Sequence, residues 1–284
     1  MISRRLVLAL GLATAACAAP LDDAIKLYDA KQFPAARAAF EHLTAAEPAN
    51  AVACYYLAQT LRRRGDATGL EEASKWFEKA STLAPTNATY LAEHGTAMML
   101  LAQKKTSISA ATRGRDLLEK SLALDPANVD ARETLYQYYQ QAPWPIGSSS
   151  KATAQLEEIR QRDPDRATVI LVSQKVSAKD YPAAFQLLDA TLAKNPANYT
   201  ALYFYGRTAA ISGLNLERGR ACLEQCLTLT PPSSTAPAPT FVWNRLGQLQ
   251  EKLGHRTEAR TAYESALKLD PTNQPAADAL AKLK

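Results

Sequence analysis

The chain has 284 residues, 47% of them hydrophobic, and a formal net charge of +5. This composition folds, which excludes a disordered or collagen-like chain. The charge falls to +3 (5 minus Arg4 and Arg5) without the N-terminal leader described next, and no clustered basic stripe remains for nucleic acid.

Residues 1–19 place Arg4 and Arg5 before an apolar run from Leu6 to Ala16, then small residues. This is the layout of a secretory signal peptide, and the run is too short to span a bilayer permanently. The paired arginines also resemble the start of a twin-arginine signal, against an ordinary basic region as the simpler reading. Ala15-Ala16-Cys17 resembles a lipoprotein cleavage box with Thr14 in the usual place of leucine. Cleavage near Ala16-Cys17-Ala18 is the favoured expectation, and a lipid anchor at Cys17 the alternative. No later segment is long and apolar enough for a membrane span. The expected location is therefore the periplasm or cell envelope. The remaining cysteines, Cys54, Cys222 and Cys226, are too few and too scattered for a disulfide framework. Cys222 and Cys226 share a helix face and are assigned to the core.

Seven prolines, Pro48, Pro85, Pro126, Pro164, Pro196, Pro231 and Pro271, recur at separations of 37, 41, 38, 32, 35 and 40 residues. Five are followed two positions later by asparagine, at Asn50, Asn87, Asn128, Asn198 and Asn273. A proline that stops one helix and an asparagine that caps the next predict a chain of repeated helical units.

Unit one, Leu21 to Pro48, has Ala24, Leu27 and Tyr28 on a first helix and Ala36, Phe40 and Leu43 on a second. Unit two, Asn50 to Pro85, carries Leu57-Ala58, then Ala73, Phe77 and Ala80, with an insertion at 64–69. In unit three, Asn87 to Pro126, His94-Gly95 is answered by Gly114, Leu118 and Ser121. Unit four, Asn128 to Pro164, joins a tyrosine-rich helix to a turn, APWPIGSSSKA, in which Pro143 and Pro145 end the helix. Unit five, Asp165 to Pro196, has Leu171, Ala184, Leu188 and Thr191, with Lys179-Asp180 in place of a turn glycine. Unit six, Asn198 to Pro231, carries Tyr205-Gly206, Gly213, Gly219, Leu223 and Cys226. Residues 232–239 read as an extended proline- and serine-rich linker. Unit seven then runs from Thr240 to Pro271. Its first helix sets Val242, Trp243, Leu246, Leu249 and Leu253 at helical spacing, Gly254 supplies the turn, and Ala259, Ala262, Tyr263 and Ala266 line the second. Residues 273–284 read as a capping helix.

In unit seven Trp243, Leu246, Gly247, Ala259, Tyr263, Ala266 and Pro271 stand at the spacing of a tetratricopeptide repeat, and the whole chain resembles an array of such units. The turn of unit four is similar to one found in exported bacterial members of that family. The resemblance implies an all-α solenoid of about seven helix-turn-helix repeats with a C-terminal cap. It also implies a non-catalytic scaffold for proteins or extended peptides, with no cofactor. No metal-ligand pair, phosphate loop or nucleophile elbow contradicts this.

The family's concave face is lined mainly by first helices. Transferred by register, this places Tyr55, Gln59, Arg62 and Arg63 of unit two and Arg132, Tyr136, Tyr139 and Gln140 of unit four in a groove. Tyr203 and Arg207 of unit six follow, with Asn244 and Gln248 of unit seven. Tyr56, Tyr138 and Tyr205 are assigned to the core. Flat tyrosines and arginine forks suit an extended peptide, an acidic one included. The lysine and asparagine clamp of chaperone-binding members is not reproduced. The alternatives are a structural assembly element and a carrier of a small cell-wall-type ligand.

Overall fold

The computed structural model describes residues 20–142, 147–233 and 236–283. The expected signal peptide with Cys17, the Pro143 to Pro145 stretch and two positions of the expected linker lie outside them. Among the described residues every regular element is a helix. A first helix, α1, covers residues 20–29. It pairs with α2 (Phe33–Ala46), and the following pairs are α3 (Ala51–Arg62) with α4 (Ala67–Leu83) and α5 (Ala88–Lys105) with α6 (Ile108–Leu124). Next come α7 (Val129–Gln141) with α8 (Ser149–Arg162), α9 (Pro164–Ser177) with α10 (Tyr181–Lys194), and α11 (Tyr199–Ser212) with α12 (Leu216–Leu227). The last pair is α13 (Pro239–Leu253) with α14 (Arg256–Leu269), closed by α15 (Gln274–Lys282). The fold is the all-α, solenoid-type stack of helix pairs that the repeats predict.

Starts and stops follow from local chemistry. All five asparagines cap a helix. The side-chain oxygens of Asn50, Asn87, Asn128, Asn198 and Asn273 accept from the backbone amides of Ala53, Tyr90, Ala131, Ala201 and Ala276. Each satisfies one of the amides that a helix leaves free at its first turn. Pro164 departs from the expected pattern. Instead of closing unit four it occupies the first turn of α9, where its missing N–H costs nothing. Asp163 caps that helix by accepting from Arg166 N at 2.9 Å. Turns within the pairs need a left-handed residue. Gly213 and Gly254 supply it, but so do Lys31, Thr106 and Lys179, which explains why unit five turns without a glycine.

The chain divides into two compact units, the first ending at Glu158 and the second beginning at Ile159. In the first, Ala24, Phe40, Leu57, Leu61, Ala73 and Phe77 form one apolar core. In the second, one core runs from Val172 through Leu188, Leu202, Leu223, Leu246 and Leu249 to Ala262, and another joins Ala259, Tyr263 and Ala266 to Ala276 and Leu283. The sixth and seventh pairs share the former core. Tyr199 of α11 donates to the Pro237 carbonyl at 2.6 Å, and α13 packs on α11 and α12. A proline-rich composition describes backbone stiffness and says nothing of what a neighbouring tyrosine will hold. Cys54, Cys222 and Cys226 are free and buried.

The close helix approaches rest on small residues. A Cβ on Gly206 would sit 2.2 Å from Leu223 Cγ, and one on Gly247 would sit 2.6 Å from the Tyr263 ring. Bulk at either point would force the pair apart.

Candidate functional site

In the first unit the expected residues fall into two groups. On α3 the Tyr55 ring stacks on Tyr90 of α5, with centroids 4.8 Å apart. Gln59 Nε2 donates to Tyr55 Oη at 2.8 Å, and Arg62 Nη2 donates to Gln59 Oε1 at 2.6 Å. Arg62 also pairs with Glu93 of α5. Burial pushes the Tyr55 hydroxyl up to about 12, so it stays a neutral donor and acceptor. Tyr55, Gln59, Arg62 and Glu93 thus form one polar ladder whose charge is internally balanced. Arg63 lies apart from it, exposed, with its guanidinium 3.7 Å from the centre of the Phe33 ring.

The α7 group is closed off. Arg132 is 8% exposed, Tyr136 3% and Tyr139 4%. Arg132 donates twice to the Pro126 carbonyl, at 3.1 and 2.8 Å, reaches Gln155 Oε1 at 3.2 Å, and pairs with Glu158 at 3.3 Å. Tyr139 donates to Glu119 at 2.6 Å. Burial, then that bond, holds its hydroxyl well above the usual tyrosine range. The expectation that Arg132 is an open carboxylate fork and that Tyr136 and Tyr139 offer free ring area is corrected by this packing. Gln140 is exposed at the helix end. In a helix the register fixes the face of a residue but not how deeply its neighbours cover it.

In the second unit Tyr203 is also buried, at 7%, edge-on to Phe204, so its expected open face is corrected as well. Arg207 remains half-buried above the Phe204 ring, 5.4 Å from its centre, and forms no ion pair among the described residues. Asn244 and Gln248 line a cavity of about 560 Å³ with Phe241, Arg245, Asp270 and Asn273. Asn244 Nδ2 donates to Asn273 Oδ1 at 3.2 Å, and Arg245 Nη1 donates to Gln248 Oε1 at 2.8 Å. Arg245 has no carboxylate partner among the described residues. Asp270 is spent on its own turn, where its Oδ1 accepts from Thr272 N at 3.0 Å and from Thr272 Oγ1 at 2.7 Å. Phe241 is 58% exposed.

Phe241 and Arg245 were not among the residues expected from sequence. The signal was available. Phe241 falls outside the Val242, Leu246, Leu249 stripe and one turn before Arg245, so helical spacing places it on the polar face. An apolar residue in the first turn of a repeat is easily read as core.

Tetratricopeptide repeat family models match residues 21–88 and 240–273, at both ends of the succession of helix pairs. The chain is a tetratricopeptide repeat protein. This tetratricopeptide repeat protein is similar in structure to one from Parabacteroides merdae, at 15% identity and a TM-score of 0.57, covering 94% of this chain and 98% of that one. It is also similar to yeast Tom70, at 17% identity and a TM-score of 0.64, covering 89% of this chain and 51% of that one. Identities this low bear on the fold alone. Among curated proteins none matches. The tetratricopeptide fold is that of a protein-interaction scaffold, and its family is generally non-catalytic. No helix among the described residues is long and apolar enough to cross a membrane.

Proposed function

We propose that this protein is a non-catalytic scaffold in the cell envelope that binds an extended, acidic segment of a partner protein along its first-helix faces. The observation that carries the reading is the state of the arginines. Arg62 is balanced by Glu93 and Arg132 by Glu158, whereas Arg207 and Arg245 of α11 and α13 have no carboxylate of their own among the described residues. A guanidinium left without a partner beside aromatic rings and amides offers an anionic peptide a paired, partly desolvated contact. The envelope assignment rests on the layout of residues 1–19, and cleavage there rather than lipidation of Cys17 is part of the reading.

The test is capture of partners from envelope extract by the protein beginning at residue 20, beside an Arg207→Ala/Arg245→Ala double variant. The expected outcome is loss of the main partner by the variant and release of that partner from the parent by salt. Equal recovery by both forms overturns the assignment. The intact mass of the protein recovered from cells reports the cleavage site and any lipid on Cys17.

A further inference from the structure

Resting on that reading, we infer that the cavity between α13 and α15 selects a specific two-residue signature in an extended peptide: an apolar side chain and a carboxylate separated by one residue. Phe241 and Arg245 are four positions apart on α13, and both line this cavity. At a rise of about 1.5 Å per residue, that spacing is about 6 Å along the helix. In an extended peptide, side chains on one face repeat every second residue, at about 6.6 Å. The two periods match, so a strand-like peptide lying along α13 can set an apolar group on Phe241 while its next same-face residue meets Arg245.

The chemistry of each position supports this. Phe241 keeps an exposed ring at the cavity, and covering it removes apolar area from water. Arg245 gives one N–H to Gln248 Oε1 and has no carboxylate partner among the described residues. Asp270, the carboxylate in the same cavity, is held to Thr272 by two hydrogen bonds. Gln248 stands beside the stripe, and with its Oε1 accepting from Arg245 its Nε2 can donate to a peptide carbonyl. A peptide with the carboxylate on the adjacent residue would point it away from Arg245, because successive side chains of an extended chain face opposite ways.

Fluorescence anisotropy with labelled dodecapeptides tests the signature. Each peptide carries a single Leu-Gly-Glu, Leu-Glu-Gly or Ser-Gly-Glu in a Gly-Ser background. The expected result is preferential binding of the Leu-Gly-Glu peptide, by about tenfold over the other two, lost in Phe241→Ser and in Arg245→Gln. Arg245→Glu should transfer the preference to a Leu-Gly-Lys peptide. Phe241 is exposed, so its replacement leaves the fold intact, as an unchanged thermal melt will report. Equal binding of all three peptides, or binding indifferent to Phe241→Ser, overturns the signature. If the captured partner still binds Phe241→Ser normally but not the double arginine variant, the signature fails and the wider reading stands. If neither the peptides nor any envelope partner binds, both fail.

Discussion

His94 is 1% exposed on α5, with Nδ1 3.3 Å from Ser81 Oγ of α4. Burial, reinforced by Arg113 and opposed by Glu78, lowers its pKa from 6.5 to about 4. The folded protein therefore holds this imidazole neutral, and the unfolded chain takes the proton first. The resulting stability is fully present above about pH 6.5 and is lost progressively as pH falls through 4. A shift of this size corresponds to roughly 3 kcal/mol. Urea unfolding at pH 7 and pH 4 should show a drop larger by about that amount in the parent than in His94→Gln, and equal drops would refute it. At this scale the sequence was partly legible. His94 beside Gly95 reads as a packing position because a close helix approach leaves no room for water. Tyr139 and Tyr203 misled because an amphipathic ring suits a groove and a core equally, and the covering residues come from other helices. Arg132 misled for a related reason: its carboxylate partner, Glu158, lies on the following helix and only the fold brings the two together.

At the scale of the helix, the asparagine caps are the feature that sequence and structure share most completely. A cap is a local event, decided within four residues, so the proline and asparagine pattern could be read without knowing the tertiary contacts. Asn198 does more than cap α11, because its Nδ2 also donates to Asp165 Oδ1 of α9 at 2.8 Å. Replacing it by alanine should cost about 1 kcal/mol for the cap and a further fraction for the cross-helix bond. Asn87→Ala, whose side chain makes the cap bond alone among the described residues, should cost about 1 kcal/mol; denaturant midpoints would rank the two, and the reverse order would show that the Asp165 bond contributes nothing. The proline signal was less dependable. Pro164 follows a helix and opens one, and both roles suit a residue without an N–H, so spacing could not decide between them.

At the scale of the whole molecule, the repeat number was legible because each pair repeats a local instruction, whereas the division at Glu158 was not. That division follows from how many side chains pack within each unit, which no single motif encodes. In stacked repeats each pair is stabilised chiefly by its neighbours, so a long array need not unfold as one cooperative whole. We expect the first and second units to unfold at different urea concentrations, and a single shared transition would contradict this.

The three interior cysteines turn that expectation into something the native chain can report on itself. Cys54 belongs to the first unit, and Cys222 and Cys226 to the second. All are buried, and burial pushes the Cys222 thiol up to about 11 and the Cys226 thiol up to about 12. A thiol shut away from water and far from ionising does not react with an alkylating reagent until its surroundings open. Each unit therefore carries its own chemical clock, and mass spectrometry of the alkylated peptides, read against urea concentration, times the opening of one against the other without a dye, a tag or a substitution.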